Sequence, residues 1–295
     1  MKIFVAGASG ALGRPLVRRL VEAGHDVTGL TSKNPEVVAS LGARPAEANA
    51  FDVDALRDEV VAAKPDLIVH ALTRIPHSPF ITPGRLKIND RLREEGTKNL
   101  ISAALAAGTP RMIAESITFA FRGRSEDNMR PVEHMGGFQR SVVAAQSLES
   151  QVLEFEGVVL RFGLFYGPGT SINDEVPKAL KRRMMHIIGP GTAWWSFIHV
   201  DDAANAVVAA IERGKAGETY NICDDEPILA KEALAVIADA ASVPKPLHLP
   251  DVGPRYVRYY FNKMTGANNS KAKIDLAWTL EFPTFKHGFP ETLRI

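Results

Sequence analysis

The chain has 295 residues, with 35 Lys and Arg against 34 Asp and Glu for a formal net charge of +1, and 45% hydrophobic against 23% charged residues. This balance suits a folded chain that buries a substantial core in one or two units, and it supplies neither a basic face for nucleic acid nor an attraction to anionic membranes. The single cysteine, Cys223, excludes an intramolecular disulfide, no Cys/His cluster has metal-ligand spacing, and no apolar run approaches the length of about 20 residues that spans a bilayer.

The stretch Met1 to Arg14 opens with a short apolar run that breaks into Gly7, Gly10 and Gly13, after which a helical pattern continues to Ala23. Each glycine answers a separate need. Gly7 permits a sharp exit from the strand, Gly10 has no side chain to hold off a pyrophosphate, and Gly13 lets helix and strand approach closely. The unpaired N–H groups at such a helix start attract an anion without any basic side chain. The turn therefore announces a dinucleotide, lined by Gly7, Ser9, Gly10, Ala11, Leu12 and Gly13. Because Met1 leads straight into this strand, no signal peptide is expected, and a reducing, cytoplasmic home fits the lone cysteine.

The Gly-x-x-Gly-x-x-Gly spacing is not that of ordinary dehydrogenases. It resembles the short-chain dehydrogenase/reductase superfamily in its extended, epimerase/dehydratase-like branch. The resemblance implies an α/β Rossmann fold, a doubly wound parallel sheet formed by residues 1–162, with 163–295 mainly a small substrate-binding subdomain and the sheet completed by parts of 197–225. It also implies a homodimer through the helices that begin near Arg85 and Gly136.

The second strand, Val27 to Leu30, ends at Thr31, Ser32 and Lys33. An acidic residue here would bond both ribose hydroxyls and favour NAD; two hydroxyls and a cation instead form a 2′-phosphate clamp, so the expected cofactor is NADP(H) over NAD. Asp52 and Val53 occupy the place where the resembling family holds and covers the adenine, although Asp52 also reads as the N-cap of a helix running to Ala63. The fourth strand, Pro65 to Ala71, is continuously apolar, and Ala71, Leu72 and Thr73 at its carboxyl end are expected along the cofactor. A loop over 75–84 precedes a long helix from about Arg85 to Ala107, whose Gly96-Thr97-Lys98-Asn99-Leu100 resembles a family signature. In that family an Asn stands three residues before the Gly; here it is Arg93.

The fifth strand, Arg111 to Glu115, leads into Ser116, which aligns with the family's oxygen-polarising hydroxyl, and Thr118 is expected in the substrate pocket. The following helix normally carries Tyr-x-x-x-Lys, the acid and the cation that activates it and holds the nicotinamide ribose. Phe138 takes the tyrosine place and Val142 the lysine place, and no shift of register restores the pair, because no tyrosine precedes Tyr166. Both replacements are apolar and share a helix face, which predicts a drier pocket. Tyr259 and Lys263 have the right spacing but sit far downstream, where an i,i+4 pair is a surface coincidence.

General acid catalysis is worth about 10² to 10⁴ in rate, so its loss demands an account. Tyr166, beyond the sixth strand and on the ligand side of the sheet, is one substitute acid; His134, Glu115 and Arg122 are weaker ones in or beside loops. A reaction that draws its proton from water or places it on carbon is the second account. The third is a bound nucleotide without hydride chemistry, as in NmrA-like sensors. Phe162, Gly163 and Leu164, where the sixth strand ends, are also assigned to the cofactor. Trp195 stands where relatives that act on nucleotide-sugars carry a diphosphate-binding Arg. The expectation is an NADP(H)-binding oxidoreductase-like protein for a small apolar or aromatic substrate that is not a nucleotide-sugar.

Overall fold

The computed structural model describes residues 1–293. Seven strands, β1 (Lys2–Ala6), β2 (Asp26–Thr31), β3 (Arg44–Glu47), β4 (Leu67–His70), β5 (Met112–Ile117), β6 (Val158–Phe162) and β7 (Thr219–Ile222), form one sheet in the order β7-β6-β5-β4-β1-β2-β3. Every neighbouring pair is parallel. The order reverses at β1, which places the glycine turn at the switch point where α/β sheets bind ligands. β7 comes from beyond residue 162 and completes the sheet beside β6.

Helices cover both faces, which is why β1 and β4 read as mainly apolar runs and why the one charge in β6, Arg161, is buried. Ile3, Val5, Val69 and Leu160 on one face pack with Leu16 and Leu20 of α1 (Gly13–Glu22) and with Val207 of α7 (Val200–Arg213). Phe4, Ile68 and Ala114 on the other pack with Leu56 of α3 (Val53–Ala63), Leu100 of α5 (Thr97–Ala107) and Leu148 of α6 (Gln139–Glu154). A further helix, α2 (Pro35–Ser40), closes the β2 side.

The long helix expected over 85–107 is broken. A 3₁₀ turn over Pro83–Leu86 leads into α4 (Lys87–Arg91), then a wide π-helical turn over Leu92–Gly96, then α5. Thr97 Oγ1 donates to the Arg93 carbonyl at 2.7 Å, a side-chain bond that competes with the regular ladder just where the helix widens. Such one-turn widenings accompany functional sites, because they re-aim side chains.

Residues beyond 163 build a second core around Tyr166, Trp195, Phe197, Phe285 and Phe289. It joins α8 (Ala230–Ala240), α9 (Arg255–Asn262) and α11 (Phe285–Thr292), with α10 (Ser270–Leu276) packed back against α7 and β7. α6 bridges the two cores: Val142 and Ala145 face the second, Leu148 and Val152 the sheet. Asp201 and Asp202 do not cap α7 with their side chains. His199 accepts from the Asp201 N–H, Asp201 pairs with Arg19 at 2.9 Å, and Asp202 receives the N–H groups of Glu281 and Phe282.

Candidate active site

The glycine turn is built for close approach. A Cβ on Gly7, whose φ is +97°, would strike the Ala71 carbonyl, and one on Gly13 would strike the backbone of Gly7 and Ala8. At Gly10 an added Cβ would meet only the Gly7 carbonyl, at 3.2 Å, so its other side stays open. Among the described residues the N–H groups of Ser9, Ala11 and Leu12 have no partner within the chain, and α1 carries no acid in its first turn. These unspent donors at a helix start match a pyrophosphate.

Thr31 shapes the neighbouring corner. Its hydroxyl meets Ser9 Oγ at 3.3 Å and accepts from the N–H groups of Lys33 and Asn34, so it holds the turn that exposes Ser32 and Lys33. Lys33 has no ion-pair partner among the described residues. Asp52 does cap α3, accepting from the Ala55 N–H at 3.1 Å through Oδ1, which leaves Oδ2 unspent. Val53 beside it is 47% exposed, an apolar side chain with an uncovered face where a ring would lie. Ala71 is buried, Leu72 half-buried and Thr73 exposed. His70 fixes this bend: its Nδ1 accepts from the Leu72 N–H and its Nε2 meets Thr97 Oγ1 at 2.9 Å. Since Thr97 donates onward to Arg93, Nε2 carries the proton, and burial lowers the ring's pKa to about 4, so His70 stays neutral.

Ser116 departs from its expected role. It is fully buried and donates to Glu149 Oε1 at 2.6 Å, and Arg161 closes the same carboxylate with two bonds of 2.8 and 2.7 Å. The reason is strand alternation: Ser116 lies on the face covered by α6, where a buried ion pair recruits its hydroxyl. Two residues on, Thr118 bonds the Phe162 carbonyl weakly, at 3.3 Å, above a cavity of about 10 Å³ that it shares with Phe121, Ser196 and Met264.

Tyr166 is displaced from the site as well. Its ring packs edge-on against Phe197, His199 and Phe285, its hydroxyl has no partner, and burial with Asp224 nearby drives its pKa far above the phenol range. The Leu164–Tyr166 segment pairs with Phe197–His199, which pulls the residue into the second core instead of the cleft. Trp195 is 2% exposed, donates its indole N–H to the Tyr260 carbonyl at 2.7 Å and lies under Tyr260 and Phe261. Phe162 and Gly163 are likewise buried, the Gly163 N–H donating to the Ile222 carbonyl, and of the three only Leu164 is half-buried.

Phe138 and Val142 do occupy the front of α6. Val142 is 5% exposed, and Phe138 is half-buried with its ring on that of Tyr256 from α9, centroids 4.5 Å apart. His134 and Arg122 are exposed, as expected for weaker candidates. Glu115 is not in a loop: it sits inside β5, 9% exposed, and burial raises its pKa to about 7 against the pull of Arg93. Arg93 is buried too. The signal for it was legible as a cation in the family's Asn place, but nothing in the sequence distinguished a buried arginine from a solvated one. Among the described residues no group of acids, His and Cys forms a metal site, and no helix is long and apolar enough to cross a membrane.

Over 306 aligned residues the chain is 35% identical to the 3-diazoavenalumate denitrifying reductase of a Streptomyces species, covering 98% of this chain and 99% of that protein. It is 26% identical to the 2-alkyl-3-oxoalkanoate reductase of Stenotrophomonas maltophilia, covering 83% and 77%. The fold matches that of the UDP-glucose 4-epimerase of Thermotoga maritima with a TM-score of 0.81, at 20% identity over 100% of this chain and 99% of the other. Residues 3–223 match the family model named NAD dependent epimerase/dehydratase family, and with the seven-stranded sheet and open glycine turn in place, the chain belongs to that family of nicotinamide-binding, oxidoreductase-type enzymes.

Proposed function

We propose that the chain is an NADP(H)-dependent reductase of a small aromatic electrophile, whose reaction does not depend on the family's tyrosine and lysine pair. The observation that carries this reading is the front of α6, where Phe138 stands at the family's tyrosine place and Val142 at the lysine place. No tyrosine elsewhere before Tyr166 takes over, and Tyr166 itself is buried. The rings of Phe138 and Tyr256, tilted at 36° and 4.5 Å apart, favour a planar, apolar partner over a hydrated sugar.

The donors of Ser9, Ala11 and Leu12 suit the cofactor's pyrophosphate, Asp52 Oδ2 and Val53 its adenine, and Ala71 to Thr73 the path toward the nicotinamide. Ser32 and Lys33, with no acid at that strand end, support a 2′-phosphate and hence NADP(H). Thr118, in place of Ser116, is our candidate for a ligand-binding hydroxyl: it is buried, and its present bond to the Phe162 carbonyl is long, at 3.3 Å. When bound, the reduced nicotinamide would supply a hydride; an aryl diazonium that accepts it on its terminal nitrogen becomes a neutral diazene, whose C–N and N–H bonds break as N₂ leaves and whose hydrogen passes to the ring carbon. No proton is drawn from the protein along that route, so an apolar wall at Phe138 costs nothing and excludes the water that would compete. The name of the Streptomyces relative, a denitrifying reductase of a diazo compound, supports this class.

Ile88, Leu105 and Val143, exposed on α4, α5 and α6, support a homodimer on that side, and a cytoplasmic setting fits the lone buried cysteine. The test is oxidation of NADPH and NADH against a panel of an aryl diazonium salt, an enone, an iminium and a ketone, with N₂ measured. Reduction of the diazonium with N₂ release, without ketone reduction, is expected. Tight NADPH binding with no turnover of any of them would overturn the proposal in favour of a sensor.

A further inference from the structure

The loop from Thr73 to Thr82 joins β4 to the turn before α4 and is held almost entirely by side chains. Pro76 and Pro79 have no N–H to give, and residues 73–81 make no backbone-to-backbone hydrogen bond among the described residues. None of residues 73–82 is buried, and Ile75 and Phe80 are 45% and 41% exposed. Few buried contacts and no backbone ladder mark a segment that opens locally at small cost.

Its course is nevertheless defined. Where it leaves β4, the Arg74 N–H donates to Asn89 Oδ1 of α4 at 2.9 Å. Where it ends, Pro83 lies so close to Gly137 that a Cβ on the glycine would stand 2.7 Å from the proline ring. Between these points it reaches the second core, at the helical turn Ser171–Asp174. The Ser78 N–H donates to Ser171 Oγ at 3.2 Å, and His77 Nε2 stands 3.1 Å from Asp174 Oδ2. The Ser78 hydroxyl also donates to the Phe80 carbonyl and accepts from the Phe80 N–H and from Arg85, so the loop keeps its own shape. The turn that it grips is fixed, since Asn173 accepts from the Gly167 N–H at 2.7 Å and donates to Thr292 at 2.6 Å. The loop thus starts where the cofactor path described above ends, is clasped to the substrate half and finishes beside Phe138.

We propose that residues 75–82 form a strap over the substrate cleft, held shut by the His77–Asp174 and Ser78–Ser171 clasp and released to let an aromatic ligand in and out. His77 and Asp174 are both well exposed, and such a pair is weak, which suits a clasp that opens on every turnover. The strap rests on the placement of the substrate at Phe138 but not on turnover, so it is tested by binding rates. Because the chain's one cysteine, Cys223, is buried, Ser78→Cys/Ser171→Cys offers a single disulfide that ties the strap down. Stopped-flow fluorescence follows 2-naphthol, a planar aromatic probe, into and out of the NADP⁺-loaded protein. Oxidation of the double variant should slow association and dissociation together by tenfold or more, leave Kd unchanged, and be reversed by dithiothreitol. His77→Ala, which needs no bridge, should raise both rates by up to about fivefold, the worth of one exposed ion pair. A gate moves the two rates in parallel, whereas a group that touches the ligand moves Kd and a merely structural one moves neither. Rates that stay the same on oxidation and in His77→Ala overturn the strap and leave the reductase reading standing, as does a change confined to Kd. Parallel changes without reduction of any electrophile keep the strap and remove the reductase reading. No binding of 2-naphthol to any of these proteins removes both.

Discussion

Ser116 and Glu115 are neighbours on β5 whose side chains leave opposite faces of the sheet, and the buried charged groups around them differ in completeness. In one, Glu149 takes two bonds from Arg161 and one from Ser116, and the Arg161 guanidinium also lies 3.9 Å above the Phe121 ring. In the other, Arg93, Glu115 and Asp90 are each buried, and none closes an ion pair among the described residues. A satisfied buried pair holds the fold, because removing one member strands the other. An unsatisfied one is held by the fold and is available to something else.

The sharpest way to break this comparison is to truncate one member of each cluster. Glu149→Gln removes the charge that neutralises Arg161, and the expected loss is about 3 to 5 kcal/mol of unfolding free energy. Arg93→Met, which exchanges an unpaired buried charge for an apolar side chain of similar length, should leave stability unchanged or raise it. Urea denaturation of both variants reads the difference. Equal destabilisation would make Arg93 one more structural ion and remove the contrast.

A second effect comes from the front of α6, where chemistry and not stability should move. Phe138→Tyr returns a phenol to the family's place without the activating cation. NADPH-dependent reduction of a ketone should rise by about 10², the low end of what a positioned acid supplies. Crowding by the added hydroxyl is small because Phe138 is only half-buried. If ketone reduction stays at background while diazonium reduction persists, the apolar wall is not what decides between substrates.

These two contrasts also mark what could be read from the chain before it was folded. The glycine turn, the apolar strands and the loss of tyrosine and lysine were legible because each is a local pattern with a fixed spacing: three glycines three apart, unbroken runs for a covered sheet, and no tyrosine before Tyr166. The fate of individual polar side chains was not. Whether Ser116 faces a ligand or Glu149 depends on which face of β5 meets α6, and a one-residue change of phase reverses it. Tyr166 sits at the expected strand end, yet pairing of its segment with Phe197–His199 buries it. Arg93 stands in the family's Asn place, but its burial follows from a widened turn that no periodicity announces. Long-range packing decided each of these, and sequence spacing carries no record of it.

The cofactor corner gives a smaller effect. Lys33→Ala should weaken NADPH binding by about tenfold, the worth of one charge-assisted bond at an exposed site, and leave NADH binding unchanged. Fluorescence titration with both nucleotides checks it. An equal loss for the two would mean that Lys33 supports the turn built on Thr31 instead of a 2′-phosphate.

The smallest effect is a pH dependence that separates the open cluster from solvent. Burial raises the Glu115 pKa in the folded chain from the ordinary 4.5 to about 7, so between those values the folded state binds a proton that the unfolded state does not. Its contribution to stability is therefore complete below the unfolded value and is lost as pH rises through the folded one. His70 has the opposite sign, because its folded pKa is lowered from 6.5 to about 4 and stability falls as pH drops through that interval. The raw pH profile mixes the two, but the difference between wild type and Glu115→Gln isolates the carboxyl. From about pH 7.5 to 6.5, wild type should gain roughly 0.7 kcal/mol on the variant in urea denaturation. Parallel stability curves for the two proteins would mean that Glu115 ionises as a solvated acid does, and the open cluster would then be merely wet.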